Sequence, residues 1–275
     1  MRVLISADME GATGVTFPDD CEPGNPRWQY HRALMTGDVN AAVAGFFDAG
    51  AVEVLVNDSH SDQRNLLLDS LDPRASLLTG WHKPWSMMEG IDRGYDAMAF
   101  VGYHAAAGEQ GVLSHTYLPN TITQVLLNGE ICSEGYMNAQ LSYEFGVPVV
   151  LVTGDDRACL DAKRYAPDAQ VAAVKTCVDR YSAICLPPER SSQVIHAAAA
   201  AALEPLPTVT SPAGPFRYEI EFDATQPVAL TTGIPGVSAI GDRRVAFELP
   251  TMKQAIRCFR VVTAIAAGSV ENHYG

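Results

Sequence analysis

Ser6-Ala7-Asp8-Met9-Glu10-Gly11 directly follows the apolar run Val3-Leu4-Ile5 and decides how the chain is read. In a β-strand, residues two apart share a face, so Ser6, Asp8 and Glu10 project the same way as the strand ends. Neighbouring carboxylates repel each other. The pair needs a proton, a cation or open water, and a divalent metal gives the arrangement a purpose. The bland alternative is an acidic surface turn, since Asp and Glu are mostly exposed. Ligands from later segments decide between the two, with Gly11 expected to let the backbone turn sharply beside them.

Moving outward, an amphipathic helix is predicted from Tyr30 to Ala49, closed by Gly50, after a Pro/Gly-rich loop from Phe17 to Pro26. A second strand, Val52–Val56, runs straight into Asn57-Asp58-Ser59-His60, and a third, Ala97–Val101, into Gly102-Tyr103-His104. Strands alternating with helices predict an α/β fold, a mostly parallel sheet covered on both faces. Ligands in such sheets bind outside the carboxyl ends of the strands, so Asp8, Glu10, His60 and His104 are expected to converge there. The aromatic and Met-rich segment from Trp81 to Gly90 is read as a pocket wall.

Further along, Val112 to Tyr117 reads as a short extended segment. Val125–Leu127 and Glu130–Cys132 flank the hairpin turn Asn128-Gly129. Ser133 is the expected N-cap of a helix running to Phe145, which puts Glu134 in its first turn. Val149–Thr153 and Val171–Val174 read as strands, Asp155-Asp156 as a helix start, and His196–Ala202 as helix. From Pro205 the composition shifts: Phe216–Phe222 alternates like a half-exposed antiparallel strand, with a strand at Arg244–Glu248 and a closing helix from Thr251 to Ala267. No long linker interrupts the chain. One domain over 1–275 is expected, its core covering about 1–204 and a smaller α+β subdomain about 205–275.

The composition excludes several classes. A formal net charge of −13, from 19 basic and 32 acidic residues, argues against nucleic acid and anionic membranes as partners. No apolar run approaches the roughly 20 residues that span a bilayer. The opening residues lack the long apolar core of a secretory signal, and a cytoplasmic protein is expected. Six scattered cysteines without a CxxC pair point to reduced, mostly buried thiols.

Together Asp8, Glu10, His60, His104 and Glu134 offer three carboxylates and two imidazoles. That mix suits zinc, and shared carboxylates can hold two metals roughly 3.5–4 Å apart. The same residues carry a resemblance to peptidase family M55, the zinc-dependent D-aminopeptidases of the dipeptide-transport-operon type. Its signatures stand here as Ser6–Gly11, Val54–His60, Lys83-Pro84 with Ser86-Met87, Gly102–Ala105, Gly111–His115 and Gly154–Ala158. The resemblance implies metal ligation by Asp8, Glu10, His60, His104 and Glu134 and a catalytic role for His115. Glu130 is the alternative placement of the last ligand, because the match there passes through a hairpin.

The resemblance further implies a three-layer α/β/α core with an added subdomain, two zinc ions per subunit, and a homo-oligomeric ring, a homodecamer of two stacked pentamers. It implies hydrolysis of short peptides with an N-terminal D-residue by a metal-activated water, with His115 moving the proton. An L-specific aminopeptidase or a two-metal phosphoesterase is the enzymatic alternative; a peptide-binding protein is the non-enzymatic one. His31, His82, His196 and His273 are read as structural or surface residues. Asp58 is either a turn residue or a partner that orients His60. Ser59 and Ser114 lack the G-x-S-x-G elbow of a serine nucleophile.

Overall fold

The computed structural model describes residues 1–269. In chain order it contains β1 (Arg2–Ala7), α1 (Pro18–Cys21), α2 (Pro26–Asp48), β2 (Glu53–Asp58), β3 (Ala75–Leu78), β4 (Ala97–Tyr103), β5 (Ile122–Leu127), β6 (Glu130–Ile131) and α3 (Glu134–Glu144). There follow β7 (Val149–Asp155), α4 (Asp156–Tyr165), β8 (Gln170–Asp179), β9 (Ser182–Cys185), α5 (Pro188–Ala200), β10 (Phe216–Phe222), α6 (Gln226–Thr231), β11 (Ser238–Gly241), β12 (Arg244–Leu249) and α7 (Met252–Ala267).

Seven strands form the main sheet in the order β3-β2-β1-β4-β7-β8-β9, parallel except for the terminal β8–β9 hairpin. Alternation along its central strands builds the layers. Val3, Ile5 and Ala7 of β1 pack with Ala97, Ala99 and Val101 of β4 beneath α2 and α5. Leu4, Met98 and Phe100 point to the other face, where Met137 and Leu141 of α3 and Ala162 of α4 cover them. This is the expected parallel sheet between helical layers.

The second sheet, β11-β12-β10-β5-β6, is antiparallel throughout. The expected strand at Phe216–Phe222 has those bounds, and its alternation places Phe216, Tyr218, Ile220 and Phe222 inside against α7. Its partners come from the middle and the last part of the chain. β10 pairs with β12 on one side and with β5 on the other, so residues 122–131 join the sheet otherwise made by 216–249.

Chain direction reverses sides at β1: the next two strands, β2 and β3, lie on one flank, and β4 and β7 on the other. That leaves a topological switch point between β1 and β4, where open sheets bind ligands. Beyond β1 the backbone stays pressed against the end of β4, with Asp8 N donating to Val101 O at 2.7 Å and Gly11 N to Gly102 O at 2.8 Å. A Cβ on Gly11 would sit 2.0 Å from Tyr103 O. The backbone turns here as expected, Ala12 N donating to Met9 O at 3.0 Å, and Gly11 is required by close approach. Gly102 does adopt φ +77°, and a Cβ there would meet Asp8 O at 2.2 Å.

Two expectations are corrected. Val112–Tyr117 is no strand: Val112 N, Leu113 N and His115 N donate to Asp155 Oδ2, Arg180 O and Ala105 O, three different segments, and Leu113 and Tyr117 adopt positive φ. A ladder cannot form when successive donors are used in separate directions. The predicted helix at Tyr30 begins one turn earlier, because Asn25 caps it by accepting from Arg27 N and Pro26 sits at its first position. β3, β9, β11, α6 and α1, the last inside the expected loop from Phe17 to Pro26, are short elements that the sequence did not disclose. The expected N-caps Ser133 and Asp155 accept from Tyr136 N and Ala158 N. All six cysteines are unpaired, four of them buried. Among the described residues no helix is long and apolar enough to cross a membrane.

Candidate metal centre

The carboxyl ends of β1, β2 and β4, the start of α3 and the loop from Val112 to Tyr117 deliver six titratable side chains to one place. Asp8, Glu10, His60, His104, His115 and Glu134 are all buried, the most exposed at 8%. Three overlapping groups have ligand atoms within 4.8 Å of one another: Asp8, Glu10 and His60; Asp8, His104 and Glu134; Glu10, His104 and His115. Asp8 belongs to the first two.

His60 Nδ1 lies 3.4 Å from Asp8 Oδ1 and 3.0 Å from Glu10 Oε2. His104 Nε2 lies 3.4 Å from Asp8 Oδ2 and 3.5 Å from Glu134 Oε2. His115 Nε2 stands 3.8 Å from one oxygen each of Glu10 and Glu134, its ring stacked on that of His104. The exposed Glu130 pairs instead with Arg164, outside the cluster.

Each imidazole is oriented from behind. His60 Nε2 faces Cys21 O at 2.9 Å, His104 Nδ1 faces Ala105 O at 3.0 Å, and His115 Nδ1 faces Leu113 O at 2.8 Å. A carbonyl only accepts, so the outer nitrogen of each ring carries the N–H. The inner nitrogen is left to present a lone pair or a second proton to the carboxylates.

Electrostatics agree with this placement. Burial would push the Glu10 and Glu134 carboxyls up. It is outweighed at Glu10 by His60, with His115 and His104 adding, and at Glu134 by His104 and His115, so both lie below the ordinary carboxylate value. Burial would likewise push His60 and His104 down. Glu10 and Asp8 beside His60, and Glu134 and Asp8 beside His104, hold both well above the ordinary imidazole value. These groups demand compensating positive charge, from protons or from metal.

Buried Asp8 Oδ2 and Glu10 Oε2 form no hydrogen bond. Unsatisfied buried carboxylate oxygens call for an ion. Oxygen donors, imidazole lone pairs and backbone-oriented rings together fit a zinc-type cation.

Several supporting residues escaped sequence reasoning. Lys175 on β8, 1% exposed, donates from Nζ to the carbonyls of Glu10 at 2.5 Å, Ala12 at 2.9 Å and Val15 at 2.6 Å. Asp38 on α2 accepts from Thr13 N and Oγ1 of the same loop, both at 2.8 Å. Ser6, which had no evident task, hydrogen-bonds to Ser59 Oγ and to Tyr103 OH, each at 2.7 Å, and Asn138 Nδ2 donates to that phenol. Tyr117 N donates to Glu134 Oε1 at 2.7 Å. A buried Lys or Asp far along the chain carries no local signal of what it holds.

Asp58 does not touch the His60 ring: it accepts from Asn65 N, Asn65 Nδ2 and Leu66 N and so folds the loop after β2. His31 is held by Arg27 O and Asp20, His82 is exposed against Trp81, and His196 pairs with Asp48, all away from the cluster. His273 lies outside the described residues. A cavity of about 380 Å³ opens over the cluster, with Trp81, Ser86 and Met87 of the predicted wall segment among its lining.

Comparison with known proteins points the same way. The sequence profile of the Peptidase M55 family, described as D-aminopeptidase, matches residues 1–261. A D-aminopeptidase of Bacillus subtilis (strain 168) is 34% identical over 271 residues, 97% of this chain and 98% of that protein. The solved structure of the Zn-dependent D-aminopeptidase DppA from Bacillus subtilis, described as a self-compartmentalizing protease, superimposes with a TM-score of 0.94 at 32% identity, covering 100% of both chains. By profile, sequence and fold, the chain belongs to the M55 family of peptidases.

Proposed function

We propose that the chain is a zinc-dependent aminopeptidase acting on short peptides with an N-terminal D-amino acid, with Asp8, Glu10, His60, His104 and Glu134 holding two zinc ions and His115 moving the proton. The observation that carries this reading is the orientation of the imidazoles: each outer N–H is committed to a backbone carbonyl while each inner nitrogen meets buried carboxylates. That is how ligating and proton-transferring histidines are prepared. Asp8, with Oδ1 toward His60 and Oδ2 toward His104 at 3.4 Å each, is the carboxylate that would serve both ions.

Zinc held there would supply Lewis acidity for the scissile carbonyl and bring the pKa of water toward about 7. The chain's own residues do the rest. Cys21 O and Ala105 O fix the rings of His60 and His104, and Lys175 fixes the loop that carries Glu10. His115 Nε2, its other nitrogen occupied by Leu113 O, takes a proton from water and returns it to the leaving amine. Burial of the cluster side chains themselves strengthens these interactions.

The two-zinc stoichiometry rests on the overlapping ligand groups, and the D-specificity on family membership and on the relatives' descriptions. So does a homo-oligomeric ring, read as a homodecamer, which the self-compartmentalizing relative supports. Unpaired thiols suit a reducing compartment, the cytoplasm. In this reading the chain forms one peptidase domain. The test measures zinc per chain and then release of D-Ala from D-Ala-D-Ala and of L-Ala from its L-isomer, with and without chelator. Two zinc ions, chelator-sensitive cleavage and preference for the D-isomer are expected. Zinc-free active protein, or cleavage indifferent to chelator, overturns the reading.

A further inference from the structure

We propose that Arg260 anchors the free C-terminal carboxylate of the peptide, so that the cavity selects short substrates with an unblocked chain end. The inference rests on the aminopeptidase reading and adds to it a specificity-determining residue. Arg260 lies on α7 and lines the cavity of about 380 Å³ that also meets Asp8, Glu10, His60, His115 and Glu134. Among the lining residues it is the only side chain with a permanent positive charge. The remainder of that wall is acidic at the cluster and largely apolar around it.

The guanidinium is half prepared. Its Nη1 donates to Lys83 O at 3.0 Å and to Pro84 O at 2.8 Å, which fixes the plane of the group. Lys83 is itself pinned, donating from Nζ to Asn57 Oδ1 and Asp58 O at 2.7 Å each. The anchor and the end of β2, which leads to His60, are thus tied through one loop. Nε and Nη2 of Arg260 donate to no described residue, and a guanidinium edge of that kind accepts a carboxylate with two parallel hydrogen bonds.

The substrate chemistry gives such a group a task. A dipeptide carries an α-amine at one end and a carboxylate at the other, and with the charges of Asp8, Glu10 and Glu134 offset by the ions they would hold, the cluster alone does not keep the carboxylate away. A cation set apart from that cluster in the same cavity draws the carboxylate to the far wall and leaves the amine end of the peptide at the cluster. A second cavity, of about 370 Å³, holds Arg180 and meets Glu10, His60 and His115, but neither Asp8 nor Glu134. Arg260 shares its cavity with all three carboxylates of the cluster.

The experiment compares kcat/KM for D-Ala-D-Ala and for its C-terminal amide in the zinc-loaded wild type and in Arg260→Met, Arg260→Lys and Arg180→Met. A charge-assisted pair worth roughly 1.5–3 kcal/mol predicts that the wild type favours the free acid by about 10- to 150-fold, mainly through KM. In Arg260→Met that ratio falls to near one, and in Arg260→Lys to an intermediate value. Misfolding or a shifted Lys83–Pro84 loop lowers both rates together and leaves the ratio standing, so the ratio isolates carboxylate recognition. A ratio that survives Arg260→Met, or that collapses only in Arg180→Met, overturns the proposal while the aminopeptidase reading stands. A wild type that cleaves both substrates equally well does the same. Cleavage of neither by the zinc-loaded wild type overturns that reading and the anchor with it.

Discussion

His104 and His115 stack face to face, ring centroids 4.2 Å apart and planes within 9°, yet their inner nitrogens meet the acids at different range. His104 Nε2 reaches Asp8 at 3.4 Å and Glu134 at 3.5 Å, while His115 Nε2 stays 3.8 Å from Glu10 and from Glu134. Under the proposed assignment His104 holds a cation and His115 moves a proton. In His115→Ala, kcat should fall roughly 10²- to 10⁴-fold while zinc per chain, measured by metal analysis, is unchanged. Normal zinc content together with near-normal kcat would remove His115 from proton transfer.

Asp8 lies 3.4 Å from both His60 and His104, so its loss should empty both proposed positions. Asp8→Ala is expected to bind less than one zinc per chain and to lose activity with it. Its side chain supports little else, accepting only from Met9 N at 2.9 Å among hydrogen bonds. Circular dichroism should therefore show an intact fold. Two tightly held zinc ions in the variant would show that Asp8 does not bridge.

Lys175 is expected to matter for both stability and metal retention. Lys175→Met strips the cation from three buried carbonyls of the Glu10–Val15 segment. Leaving such groups unsatisfied costs about 1–3 kcal/mol each, partly offset by relief of the buried charge. A net loss of about 3 kcal/mol in urea unfolding is expected. Zinc should also pass faster to a competing chelator, because the backbone bearing Glu10 is no longer fixed. Unchanged release would confine Lys175 to stability alone.

Asp38 gives a pH dependence remote from the metal ligands. Burial raises its carboxyl from 3.8 to about 6, against the hydrogen bonds from Thr13 and the charge of Lys175. The folded state therefore holds this proton more tightly than the unfolded chain. Stability from the neutral carboxyl is complete below about pH 4 and is lost as pH rises through about 6. The shift corresponds to about 3 kcal/mol. Unfolding free energies of the wild type and Asp38→Asn, measured across this window, should change relative to each other by that amount, with the wild type losing ground as pH rises. A pH-independent difference would place the Asp38 pKa near its ordinary value.

The parts of the site that follow from strand periodicity were legible in the residues themselves. Asp8, His60 and His104 each come just after the apolar run of a parallel strand, and a doubly covered sheet brings such ends together. Glu134 was legible through its cap, Ser133. What stayed hidden depends on contacts between distant segments. Lys175 lies in a strand whose inward face reads as apolar, and its three acceptors lie some 160 residues earlier. The loop from Val112 to Tyr117 has the composition of a strand, but Asp155, Arg180 and Ala105 claim its donors one by one. Arg260 sits on a helix whose apolar stripe announced packing and gave no sign of the cavity its polar edge would face.

The pairing of β5 with β10 joins segments about a hundred residues apart and bears on how the enzyme is made. While the chain is still being synthesised, residues 1–204 can lay down the main sheet, but β5 has an open edge until Phe216–Phe222 emerges. Between β4 and that waiting hairpin lies His115, and just beyond it lies Glu134. Arg260, still later, completes the cavity wall. A nascent chain thus carries its acidic and imidazole groups before the enclosure around them exists. Fragments divided near residue 205 should behave as complementing halves, neither assembling the enclosed site until the other supplies its strand.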